Sequence, residues 1–114
     1  MSRKRVQFEE CYEEANMLNQ TYYHGTSDVF VIADKKIKPP SETGNLREEF
    51  RNYNTNVVYV SSSYGVAKRV ADKAAQKYGG KPVVYIVKPD FDTLVYRTNY
   101  EYTTDYATIT SKCE

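Results

Sequence analysis

VVYVSSSYGVAKRVADKAAQKYGGKPVVYIVKP, residues 57–89, is the stretch whose reading decides the fold. Val57-Val-Tyr-Val60 has the β-branched and aromatic composition of a strand, with Val57 and Tyr59 on one face and Val58 and Val60 on the other. Ser61-Ser62-Ser63 brings hydroxyls suited to capping a helix. From Tyr64 to Tyr78 the residues Val66, Ala67, Val70, Ala71, Ala74, Ala75 and Tyr78 recur on one stripe, while Lys68, Arg69, Asp72, Lys73 and Gln76 fill the opposite side. That period predicts an amphipathic helix, ended by Gly79-Gly80. Pro82 then introduces Val83-Val-Tyr-Ile-Val87, a nearly continuous apolar run that predicts a central strand closed by Pro89. A small α+β domain follows from this order of elements.

Working outward, Phe8, Cys11, Tyr12, Ala15 and Leu18 stand at helical spacing among Glu9, Glu10, Glu13 and Glu14, which predicts a second, N-terminal helix over residues 6–18. Tyr22-Tyr23-His24 reads as a short strand entering a Gly25-Thr26-Ser27 turn, so His24 is expected at a strand end. Pro39-Pro40 stops any regular element there. Residues 41–56 are polar, with Gly44 and four Asn, and read as a mobile loop with a short helical piece around Leu46 to Phe50. Two weaker strands are expected near Leu94 to Thr98 and Tyr106 to Thr110. The chain has no internal repeat, so residues 1–114 are read as one domain, with an N-terminal helical arm over 1–20 and a core over 21–110.

The 114 residues suit a single module that buries roughly 65% of its unfolded surface without metal or disulfide staples. Sixteen Lys and Arg against 15 Asp and Glu leave a formal charge of +1, which supplies no broad attraction for nucleic acid or a membrane surface. Cys11 and Cys113 lie at opposite ends with no close Cys or His partner, so neither a Cys-rich zinc site nor a disulfide framework is expected, and a cytoplasmic setting is the default. Apolar runs stop at about six residues and the opening Met1-Ser-Arg-Lys-Arg5 is charged, so no membrane span or signal peptide is expected. Arg3, Lys4 and Arg5 read as a solvated tail. Twelve Tyr without Trp suit half-buried sheets and also surfaces that stack on planar ligands. The single histidine, His24, excludes any dyad or metal site that needs two.

Taken alone, Tyr23-His24-Gly25-Thr26 fits a surface or packing turn as well as a binding loop. Read in order with Val57 to Ser63, the small-residue helix and Val84-Tyr-Ile-Val-Lys-Pro89, the chain resembles the small ADP-ribosyltransferases with a His-Tyr-acid signature, of the rifampin ADP-ribosyltransferase type and related phage and toxin domains. The resemblance spans roughly residues 22–110. It implies split, curved, mostly antiparallel β-sheets with one main helix and a short N-terminal one, and NAD as the substrate that donates ADP-ribose. It implies that His24 hydrogen-bonds a ribose and that Gly25 brings main-chain polar groups to the nicotinamide amide, with Tyr23 and Thr26 beside them. A residue without Cβ suits such an approach, and an ordinary tight turn suits it too. By the same resemblance Tyr59 stacks on the cationic nicotinamide ring, and Ser61 and Ser62 support the pocket. A core tyrosine and plain helix capping are the structural alternatives at those positions.

The implied reaction breaks the bond between ribose C1′ and nicotinamide, which leaves neutral, so the useful group is a carboxylate near the ribose as positive charge develops. Asp92, three residues past Pro89, fits the family's order; Glu101 in Tyr100-Glu-Tyr102 fits more distant His-Tyr-Glu members; Asp105 is a third choice. Each also reads as a solvated turn or edge charge. The expectation is an NAD-dependent mono-ADP-ribosyltransferase: a monomer, free of the membrane, in the cytoplasm or, for a phage protein, the host cytoplasm. Its acceptor is not identified by the sequence: a small molecule, a protein side chain or a nucleic-acid base. The alternatives are a catalytically silent member of the same fold that binds a nucleotide or a host protein, and a tyrosine-rich interaction protein in which every motif is packing.

Overall fold

A computed structural model describes residues 20–43 and 56–113. The expected helix over residues 6–18 and most of the expected loop over 41–56 lie outside them. The strands are β1 (Tyr22–Ser27), β2 (Lys36–Ile37), β3 (Val58–Ser61), β4 (Pro82–Pro89), β5 (Val95–Thr98), β6 (Glu101–Thr104) and β7 (Ala107–Cys113). The helices are α1 (Pro40–Thr43) and α2 (Tyr64–Tyr78). All strand pairs are antiparallel, in one seven-stranded sheet of order β2-β7-β4-β1-β3-β6-β5, so the chain is α+β.

The junctions differ in extent. β1 and β4 pair over six register positions, Tyr22 opposite Val87 through Ser27 opposite Pro82. β1 and β3 are joined at one, Tyr23 opposite Ser61. Strand alternation then divides the side chains. Tyr22, Val58, Val60, Val87 and Tyr102 form a buried cluster with Ile37, Leu94 and Ala107 on one face. Ala67 and Ala71 of α2 pack with Val84, Tyr23 and Cys113 on the other. On the first face, Tyr96 meets Tyr102, Tyr102 meets Tyr22, and Tyr22 meets Phe91, all edge to face at centroid distances of 5.2, 5.2 and 6.2 Å. Such pairs contribute about 0.5–1.5 kcal/mol each beyond their burial.

Local chemistry explains the helix. Ser63 caps α2, its Oγ accepting the Val66 N–H at 3.3 Å. Gly79 (φ 88°) ends it, its N–H reaching Ala75 O at 2.9 Å, and Ser27 Oγ donates to Gly79 O at 2.5 Å. An ion pair between Lys68 and Asp72 (2.8 Å) lies one turn apart on the solvent side and adds little.

Three local expectations are corrected. Gly25-Thr26-Ser27 is no turn; it continues β1, and His24 sits inside the strand. The reason is packing: a Cβ on Gly25 would collide with the Ala67 carbonyl oxygen and stand 2.9 Å from Ala67 C and 3.0 Å from Ala71 N. A glycine inside a strand often marks such a close backbone approach, and here it lets α2 lie directly on β1. Pro40 begins α1 rather than only stopping what precedes it, since a proline at a first helical position forfeits no helical hydrogen bond. The sequence reading also missed β6, a four-residue strand joined to β5 by the two-residue loop Asn99-Tyr100. Both loop residues have positive φ, 51° and 66°. That is the hairpin geometry that favours Asn followed by Gly, so Tyr100 bears a cost of about 1–2 kcal/mol.

Gly25→Ala is expected to destabilise the chain by about 3 kcal/mol, at the upper end for overpacking because the opposing atoms are main chain. Urea unfolding followed by circular dichroism measures it. A loss below about 0.5 kcal/mol would contradict the close approach of α2.

Candidate functional site

Pairing with β4 aligns Tyr22, His24 and Thr26 with Val87, Tyr85 and Val83, and turns Tyr23 and Gly25 toward α2. The His24 ring leans into the β1–β3 junction, with Nδ1 2.8 Å from Tyr59 O. A carbonyl only accepts, so Nδ1 carries the proton and Nε2 of the neutral ring is left as an acceptor. Nε2 makes no hydrogen bond with a described residue. Burial pushes the imidazole below its usual value of 6.5, and the Tyr59 carbonyl partly offsets this. The ring keeps some solvent contact, yet the protein packed around it disfavours the charged form.

Tyr59 stands opposite Thr103, and Ser61 opposite Glu101. With Tyr23 opposite Ser61, the row Tyr23–Ser61–Glu101 crosses three strands on the α2 face, and Tyr59 shares that face. His24 and Tyr59 therefore belong to opposite faces and meet through the Tyr59 main chain. The Tyr64 ring, at the start of α2, packs edge to face on Tyr23 at 5.8 Å. Glu101 is half-buried, and Tyr100 O accepts the Ser62 N–H at 3.0 Å, which ties the hairpin tip to the residues before α2.

The other expected residues lie in differing surroundings. Ser61 Oγ accepts the Ser63 N–H at 3.0 Å and donates to Ser63 O at 3.1 Å, so its hydroxyl shapes the entry to α2. Ser62 and Thr26 are half-buried, and their hydroxyls make no hydrogen bond with described residues. Asp92 lies in an exposed turn, its N–H held by Asp90 Oδ1 at 3.3 Å. The strand end Pro89 is about 13 Å along β4 from Tyr85, the partner of His24. Asp105 borders an open cavity of about 430 Å³ with Lys36, Lys38, Ser41, Glu42 and Tyr106. A second cavity, of about 290 Å³, is lined by Gln20, Tyr22, Val87, Lys88 and Phe91 among others. Neither cavity includes His24, Tyr59 or Glu101.

One residue of this face was not anticipated. Between Tyr96 opposite Tyr102 and Thr98 opposite Glu101, Arg97 is the extra residue of a β-bulge, and its Nε donates to Thr103 Oγ1 at 3.2 Å. Bulges re-aim side chains, and this one brings a guanidinium beside Tyr59's partner. Its sequence signal is absent, because a bulge arises from pairing rather than composition.

Among the described residues there is no cluster of three His, Cys, Asp or Glu side chains able to hold a metal, and no helix long and apolar enough to cross a membrane. Comparison with known proteins finds no matching family model and no matching curated protein.

Because folding lowers the His24 pKa, the unfolded chain binds more protons as pH falls through 6.5, and stability is lost in that direction. Urea midpoints at pH 7.5 and 5.5 should therefore differ, and His24→Asn, which keeps a donor for Tyr59 O, should shrink the difference. An unchanged difference would exclude His24 as the source.

Proposed function

We propose that the chain is an NAD-dependent mono-ADP-ribosyltransferase whose acid is Glu101. The observation that carries this reading is the shared face of Tyr59, Ser61 and Glu101, with Glu101 directly opposite Ser61 and Tyr59 two residues along β3. It favours Glu101 over Asp92, in an exposed turn, and over Asp105, beside two lysines in a separate cavity. The resemblance in sequence supplies the chemistry, and the geometry supports one choice among its three acids.

On this reading the nicotinamide ring lies on the Tyr59 phenol and the adjoining ribose faces Glu101. As the bond from C1′ to nicotinamide lengthens, positive charge develops on the sugar and the carboxylate stabilises it through a ribose hydroxyl. His24 has a positioning role in this reading: it holds the strand carrying Tyr59 through Nδ1–H, from the opposite face of the sheet. Arg97 is suited to the diphosphate, since a guanidinium forks onto phosphate oxygens.

A second reading, a silent member of this fold that binds a nucleotide or a host protein, is favoured by other observations. The space where a Cβ would stand at Gly25 is taken by α2, and both cavities lie away from His24 and Tyr59. One experiment separates the two. With millimolar NAD, the transferase reading expects a rise in melting temperature and release of nicotinamide, seen by chromatography. Glu101→Gln should keep the thermal shift and lower release at least 100-fold, whereas Asp92→Asn and Asp105→Asn should leave it within twofold. A thermal shift without release supports the silent reading, and neither signal in the wild-type chain defeats both NAD readings.

A further inference from the structure

The sheet buries only Ala67 and Ala71 of α2, and a second apolar row runs along the helix beside them. Val66, Val70 and Ala74 recur every four residues; Val66 and Ala74 are half-buried and Val70 is 42% exposed. Arg69, Lys73 and Lys77, each three residues further on, form a parallel row of cations. All three are exposed, and none makes an ion pair with a described residue, whereas Lys68 is held by Asp72. An apolar row bordered by unpaired cations fits the face of a second amphipathic helix that carries acids.

The chain's own sequence holds such a segment. Residues 6–18, outside the described residues, place Phe8, Cys11, Tyr12, Ala15 and Leu18 at helical spacing and hold four Glu with no Lys or Arg. As a helix, Phe8 to Leu18 would span about 15 Å, and Val66 to Lys77 spans about 17 Å, so the two rows match in length. The point of entry fits as well. The described chain begins at Gln20, two residues before β1, and Tyr23 of β1 touches Tyr64 in the first turn of α2. At the far end of β1, Ser27 bonds Gly79 just past the helix, so β1 and α2 run in the same direction. A segment leading into Gln20 therefore meets α2 at its first turn and lies antiparallel to it. The cavity beside Gln20 offers one cation, Lys88, against three on α2.

We infer that the outer flank of α2 is the docking surface for residues 6–18, which seat on it as an antiparallel helix with their apolar row against Val66, Val70 and Ala74. In that register Leu18 lies near Val66, Glu14 faces Arg69 and Lys73, and Glu10 faces Lys73 and Lys77. Apolar burial holds the segment, and the facing charges fix its direction. The seat is independent of the transferase reading.

The test is the rate at which a Glu-specific protease cuts the full chain after Glu9, Glu10, Glu13 and Glu14, followed by mass spectrometry. Docking slows those cuts in proportion to the seated population. Val70→Glu puts a carboxylate into the seat and should speed them at least tenfold. Lys73→Glu should speed them about threefold, the size of a lost surface ion pair, and adding Glu14→Lys should return cutting after Glu9 and Glu10 to within about twofold of wild type. Lys73 is exposed, so this pair of variants decides the matter even if Val70→Glu fails to fold. Rates left unchanged by Val70→Glu and Lys73→Glu overturn the seat, as does an acceleration by Lys73→Glu that Glu14→Lys does not reverse. Acceleration by Phe91→Ala alone puts the segment in the cavity beside Gln20 and overturns the assignment to α2. Protection that fades on tenfold dilution gives the flank to a second copy and overturns the seat within one chain.

Discussion

The molecule depends on one close approach: the main chain of α2 at Ala67 and Ala71 lying against the Cβ-less face of β1 at Gly25. Two alanines and a glycine make this possible, because each removes side-chain volume between the backbones. Every other element is located relative to that contact. β4 pairs along β1 and shares the helix through Val84, and β3 runs into α2 through the Ser61–Ser63 hydrogen bonds. A bulkier residue at position 25 would lift the helix and shift the row Tyr23–Ser61–Glu101 relative to Tyr64.

The contact changes the meaning of the His24-Gly25 pair. In the sequence, this glycine reads as a turn or as room for a planar ligand, and neither describes its role in folding. The imidazole likewise has a structural duty, since Nδ1–H meets Tyr59 O where the pairing of β1 and β3 is shortest. On the opposite edge of the ring Nε2 is left as an acceptor.

Much of the fold was legible because its signals are local. The Val66 to Tyr78 stripe, the Ser63 cap, the Gly79 stop and the apolar run between Pro82 and Pro89 each depend on neighbours in sequence. The misreadings share a different origin. Gly25 was read as a turn because the helix that requires it lies 42 residues downstream at Ala67. β6 was overlooked because Tyr100 stands where a hairpin signal would show glycine. At the site, Tyr59, Ser61 and Glu101 were singled out as residues, but their common face depended on strand registers. Arg97 was invisible because its direction depends on a bulge.

The junction of β1 with β3 has four strands on one side and three on the other, and its ladder is one residue pair, supplemented by the His24–Tyr59 hydrogen bond. Side-chain packing therefore does the joining here: Tyr22 and Val87 on one side share a buried cluster with Val58, Val60 and Tyr102 on the other, and the Tyr22 and Tyr102 rings meet across the line. Glu101 and Tyr59 stand on the three-strand side of that line and His24 on the four-strand side, so the core that spans it also fixes their separation.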